Sequence, residues 1–253
     1  MPRSGVTAPE ASAGQTRHGA TAAPDARPVI VDAARLLLVV HHFAVAPDAG
    51  MRQLSCWPPH DVQRVLTPEY LLQKVDFLVR YPSYVAYELV ELHRMRLPSA
   101  LDAPAVKRDI RAVFAEREPE LRTQPFRRFW RGAYERLDHV LNWWHAHGLV
   151  FTGQERQGGP AGAGRPQRYF FLSPKGEAEA CRLVEQVEHA RWYDARIRLI
   201  YRYFGVLTAA QIKALQYAHP QYADAQLHEY ISDLTETDVH DQFRAVFGEP
   251  LAS

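Results

Sequence analysis

Residues 149–176, LVFTGQERQGGPAGAGRPQRYFFLSPKG, constrain the fold more than any other stretch of the chain. Two pieces rich in strand formers, Leu149-Val150-Phe151 and Arg168-Tyr169-Phe170-Phe171-Leu172, flank a tract of Gly, Pro, Ala, Gln and Arg. Their separation is too long for a tight turn, so the pattern predicts two short strands joined by an extended loop. The second strand runs into Ser173-Pro174-Lys175-Gly176-Glu177, a serine cap with proline at the first helical position. Gly148 stands just ahead of the first strand, where a helix C-cap glycine belongs. The tract carries Arg156, Arg165 and Arg168, with Lys175 beyond it, against Glu155 as its one acid. A loop of this kind projects into solvent, and its arginines offer planar, multi-donor heads suited to phosphate oxygens.

Upstream, helical signals dominate. Asp32 is placed to cap a helix through Leu36–Leu38 and His42. Thr67-Pro68-Glu69 reads as a helix start with Thr67 as the cap, and Leu71, Leu72, Val75, Phe77 and Leu78 supply its apolar face. Ser83 opens a second helix, and a third is expected over Ala103–Phe114. After Pro125, Phe126, Phe129, Ala133, Leu137, Val140 and Trp144 recur at three and four residues, which predicts one long helix over 126–147. Trp130, Trp143 and Trp144 belong to its core face. Arg127, Arg128 and Arg131 fall off the apolar stripe in its first two turns, close to Arg122. Cations there oppose the helix dipole, so a partner explains them better than helix stability does.

The chain is 253 residues long with a net charge of +1, and its charge is polarised by segment. Arg122 to Arg136 holds five arginines and one acid, whereas Gln221 to Pro250 holds seven acids and only Arg244. Residues 1–28 lack large hydrophobes, cannot offset their ordering entropy and are expected to be a disordered tail. Residues 29–66 read as a helical arm, 67–188 as one domain, and 189–253 as a helical extension with Thr208 capping one helix and further helices over Ala223–Leu234 and Val239–Phe247. A long helix from Glu177 to Phe204 carries Val184, Val187, Ile197, Ile200, Tyr201 and Phe204, more apolar residues than one small domain needs, which points to a homodimer.

Over residues 134–178, Arg136, Leu137, Leu141, Gly148, Leu149 and Val150, the loop, and Arg168, Tyr169, Leu172, Ser173 and Gly176 resemble a tract of winged-helix proteins of the PadR-like, MarR-like and replication-relaxation-like kinds. The resemblance implies a mainly α fold: a winged helix-turn-helix of three helices and a β-hairpin wing, followed by a helical C-terminal extension that dimerises. It also implies double-stranded DNA as partner and transcriptional regulation as role. Arg122, Arg127, Arg128, Arg131, Arg156, Arg165, Arg168 and Lys175 are then the expected contacts. The alternative is an adaptor in a replication or chromosome-maintenance complex, in which the winged helix packs on protein and the acidic C-terminal helices meet a partner.

Other function classes find no support. No apolar run approaches the ~20 residues that span a bilayer, no secretory signal follows Arg3, and a cytoplasmic, nucleoid-associated location is expected. Cys56 and Cys181 are far apart and read as buried small hydrophobes. His139, His145 and His147 have no Cys or carboxylate to complete a tetrahedral set, so no metal is expected. No phosphate-binding loop, nucleophile elbow or zinc-protease motif is present, so neither enzyme activity nor a cofactor is expected.

Overall fold

The structure, a computed structural model, describes residues 29–115, 127–129, 132–134, 136–157, 165–208, 211–212, 214–215 and 234–251. Its centre is helix α1 (Val29–Phe43). Leu36, Leu37, Leu38, Val39 and Val40 are all buried. Five consecutive buried positions go all the way round a helix, so it has to be surrounded, and α1 meets helices on several sides. These are α2 (Glu69–Arg80), α5 (Asp138–His147), α6 (Pro174–Gln186) and α7 (Glu188–Phe204). The segment expected to be an N-terminal arm is therefore the core helix. A single cluster of buried residues runs from Ala33 to Leu251, so divisions at 66/67 and 188/189 separate no two cores.

Helix α2 is enclosed as well. Nine consecutive residues, Leu72 to Arg80, are buried, among them Gln73, Lys74, Asp76 and Arg80. Thr67 does not cap it: the N-cap is Pro68, and the Thr67 hydroxyl donates instead to the carbonyl of Arg168 at 3.3 Å. Ser83 does not cap helix α3 (Pro82–Arg94): the N-cap is Tyr81 and Ser83 lies inside the first turn, whereas α4 (Ala103–Ala115) matches the expected third helix within a residue.

The long helix expected over 126–147 is replaced by two strands and a shorter helix. Strands β2 (Arg127–Phe129) and β3 (Gly132–Tyr134) pair antiparallel, with Phe129 opposite Gly132, and only α5 is helical. The apolar spacing was compatible with a helix, but Phe129, Tyr134 and Gly132 favour strand and turn. The two residues between Phe129 and Gly132 are the length of a tight hairpin connection. Gly148 then ends α5 in the left-handed region at φ 65°, as its C-cap position required.

A three-stranded antiparallel sheet holds β1 (Arg64–Leu66), β4 (Val150–Gln157) and β5 (Arg165–Leu172) in the order β1-β5-β4. Strand β1 was not anticipated. Both hairpin strands also run further into the Gly/Pro tract than expected, as far as the pair Gln157 and Arg165. Val150, Phe170, Leu172 and Leu66 turn one face of the sheet onto the helices. Val65, Phe151, Tyr169 and Phe171 turn the other onto Met51, Leu54, Cys56, Trp57 and Val62. Ser173 caps α6 by accepting from the amide of Gly176 at 2.9 Å. A Cβ on Gly176 would stand 2.2 Å from the carbonyl oxygen of Leu149, so only glycine lets α6 start this close to the sheet.

The helix expected over 177–204 breaks at Val187, which has extended backbone, giving α6 and α7. Ile197, Ile200 and Phe204, read as spare apolar surface for a second copy, are buried in the chain's own core, while Val187 and Tyr201 are exposed. Helix α8 (Glu236–Phe247) carries a capping box between Thr235 and Asp238 and packs on α3. The expected helix over Ala223–Leu234, up to residue 233, and the tail of residues 1–28 lie outside the described residues. Among the described residues no helix is long and apolar enough to cross a membrane.

Candidate nucleic-acid interface

The β4–β5 hairpin is built in two halves. At its base, Val150, Phe151, Tyr169, Phe170, Phe171 and Leu172 are buried on one face or the other. Beyond them the outward side chains are polar, with Thr152, Gln154 and Arg156 exposed on β4. The alternation follows from the two-residue period of a strand.

Glu155, the tract's one acid, is turned back onto the protein. Its Oε2 accepts from the amide of Ser55 at 3.0 Å and lies 4.0 Å from the Cys56 sulfur. Burial and then the charge of Glu155 push the Cys56 thiol up, which favours the inert protonated form. Gly153 makes the contact possible, since a Cβ there would meet the Cys56 carbonyl oxygen at 2.6 Å. With its acid held inward, the outer hairpin shows Arg156 to solvent.

The predicted contact residues separate into groups. Arg122 and Arg131 lie outside the described residues. Arg127 and Arg128 are on strand β2 rather than on a helix, opposite Tyr134 and Ala133. Arg156 and Arg165 are on the facing hairpin strands, one residue out of register: Arg165 pairs with Gln157 and Arg156 with Pro166. Lys175 is exposed in the first turn of α6. Arg168 is tied down, its Nη1 donating to Glu69 Oε1 at 2.8 Å, so it joins the hairpin to the start of α2. Gln167 supports the same junction through a 2.6 Å bond to the Thr67 hydroxyl.

Helix α5 contributes shape more than charge. Trp144 is fully buried and its indole N–H donates to the carbonyl of Ala33 at 3.1 Å, so its expected core role holds. Trp143 is half-buried and stacks on His147. The outward residues are Asp138, His139, Asn142, His145, Ala146 and His147, with neither Lys nor Arg among them. Arg136, just before α5, is exposed and stands 3.4 Å from Asp138.

Two features escaped sequence reasoning. The segment from Met51 to Val62 braces the hairpin, with Trp57 edge-on to Phe171 at 5.2 Å and His60 stacked on Phe151 at 4.2 Å. His145 of α5 reaches the same Phe151 ring at 5.5 Å, so brace, helix and hairpin meet at one side chain. The local sequence there, with Trp57-Pro58-Pro59, carries no helix or strand pattern.

The other feature is a set of ion pairs inside the molecule. Arg35 donates to Asp76 at 2.6 Å and to Asp32 at 2.8 Å, Arg80 lies 3.6 Å from Asp76, and Lys74 bonds Glu88. Charged residues are almost never fully buried unless paired, and no sequence pattern announced these partners. Cys181, expected to be buried, is exposed. Among the described residues no three His, Cys, Asp or Glu side chains stand where they could hold a metal ion.

No family model, curated protein or solved structure matches this chain.

Proposed function

We propose that the chain is a winged-helix protein that binds double-stranded DNA and serves in transcriptional regulation. The observation that carries this reading is the three-stranded sheet with β1 beside β5, from which a long hairpin projects with Arg156 outward and its one acid turned inward. In this reading α1, β1, α2, α5, β4 and β5 are the winged helix. Helices α3 and α4 and the β2–β3 hairpin are then an insertion between its second and third helices. Helix α5 is the element that would enter a groove, and Asn142 with the neighbouring histidines are its outward donors and acceptors. The hairpin follows the phosphate backbone.

Cations that neutralise phosphates release condensed counterions, so affinity falls linearly with salt on logarithmic axes. Fluorescence anisotropy of a labelled duplex against salt tests the proposal. Binding at about 50 mM salt with a slope of several units is expected; no binding at that salt overturns it. One observation favours the adaptor as a second reading: α5 offers no Lys or Arg outward, and Arg168 is already held by Glu69. A folded protein without duplex affinity would leave that reading standing.

A further inference from the structure

The geometry points to a second anion site, independent of the hairpin: a clamp for a phosphoryl group formed by Arg108 of α4 and Arg202 of α7 over the buried carboxylate of Asp109. Asp109 accepts from three donors. Tyr203 Oη donates at 2.8 Å and Arg202 Nη1 at 2.7 Å, both to Oδ2, and Arg108 Nε donates to Oδ1 at 3.2 Å. The exposures are unequal. The Asp109 side chain is 9% exposed, whereas those of Arg108 and Arg202 are 68% and 58% exposed.

The carboxylate therefore lies beneath two guanidinium groups that reach it from different helices and face solvent. Each guanidinium has five N–H donors in a fixed fork. The bonds to Asp109 engage one nitrogen of each, at Nε of Arg108 and Nη1 of Arg202. Two positive charges against one negative leave a surplus of one. The carboxylate fixes where that surplus sits, which is the preorganisation that binding sites need.

A neighbouring turn repeats the arrangement as a neutral pair. Arg198, four residues before Arg202, is also mostly exposed and bonds a carboxylate that is itself buried, Asp194, at 3.0 Å. Like charges four apart on a helix are unfavourable by a few tenths of a kcal/mol, and here both are retained above buried acids.

Two converging forks select the ligand class. One fork saturates a carboxylate's two oxygens, whereas a phosphoryl group offers three or more and can accept from both forks at once. The phosphoryl group can belong to a nucleic-acid backbone or to a small phosphorylated molecule.

The test uses the full chain and inorganic pyrophosphate as probe, read by calorimetric titration. The wild type should bind, and the pair Arg108→Gln with Arg202→Gln should lose at least about tenfold in affinity, the order of one or more charge-assisted hydrogen bonds. Arg108→Gln alone removes a mostly exposed side chain and leaves Asp109 bonded to Tyr203 and Arg202, so it keeps the experiment valid if the pair misfolds; it should weaken binding severalfold. Arg111→Gln, which breaks an exposed pair with Glu249 and a contact over the Phe243 ring but touches neither Arg108 nor Arg202, should leave binding unchanged. Competition by duplex DNA assigns the site to a backbone phosphate, and its failure assigns it to a small ligand; either supports the clamp. Absence of pyrophosphate binding, equal binding by the Arg108 variant, or tighter binding of citrate than of pyrophosphate would overturn it.

Discussion

Helix α2 and the outer half of the β4–β5 hairpin both carry cations, but in α2 these are inside the protein. Lys74 is matched by Glu88, and Arg80 shares Asp76 with Arg35. In the hairpin, Arg156 faces water, and Glu155 is drawn off to the Ser55 amide. Exposure, rather than the mere presence of cations, separates the two regions. The first set ties helices together inside the molecule, and Arg156 stands exposed on β4.

The comparison is broken most severely by removing an acid from the inner set. Asp76→Ala leaves Arg35 and Arg80 buried with like charges close by, and should cost about 3–5 kcal/mol. A shift in the urea midpoint with unchanged slope measures it; a loss under about 1 kcal/mol, the size of a surface pair, would mean that α2 is not held by its charges. Gly176→Ala comes next. The added methyl collides with the Leu149 carbonyl and should cost about 1–3 kcal/mol in thermal unfolding, since backbone must move; an unchanged melting temperature would contradict the close approach of α6 to the sheet.

Arg168→Ala sharpens the line between the two sets. Its partner Glu69 is partly exposed, so the loss should be at most about 1 kcal/mol. Because Arg168 is engaged by the protein, the salt slope of DNA binding should stay constant. A slope lower by about one unit would move Arg168 to the outward set.

The elements legible in the sequence were those with local punctuation. Ser173-Pro174 and Gly148 mark boundaries through capping chemistry that acts within a few residues. Helix α4 was read almost to the residue because its apolar positions and flanks agree. What failed depended on distant partners. Arg127–Tyr134 has spacing that suits a helix, yet it pairs as strands. Strand β1 is three residues long and exists because β5 lies beside it. The spare apolar surface of α7 vanished because α1, more than a hundred residues earlier, covers it.

The candidate site was legible to a similar extent. Charge and composition marked the hairpin, but nothing local revealed that Glu155 turns inward, that Arg168 is tied to Glu69, or that Met51 to Val62 form a brace.

The measurement that tests the central claim most directly is the salt dependence of duplex binding by the wild type and by Arg156→Ala with Arg165→Ala. These two residues belong to the facing strands beyond the buried base of the hairpin, and circular dichroism would verify that the variant is folded. If the hairpin follows the DNA backbone, affinity should fall for all duplex sequences alike, and the logarithmic slope should drop by about 0.9 per lost contact, or about 1.8 for two. An unchanged affinity and slope in the folded variant would contradict the account.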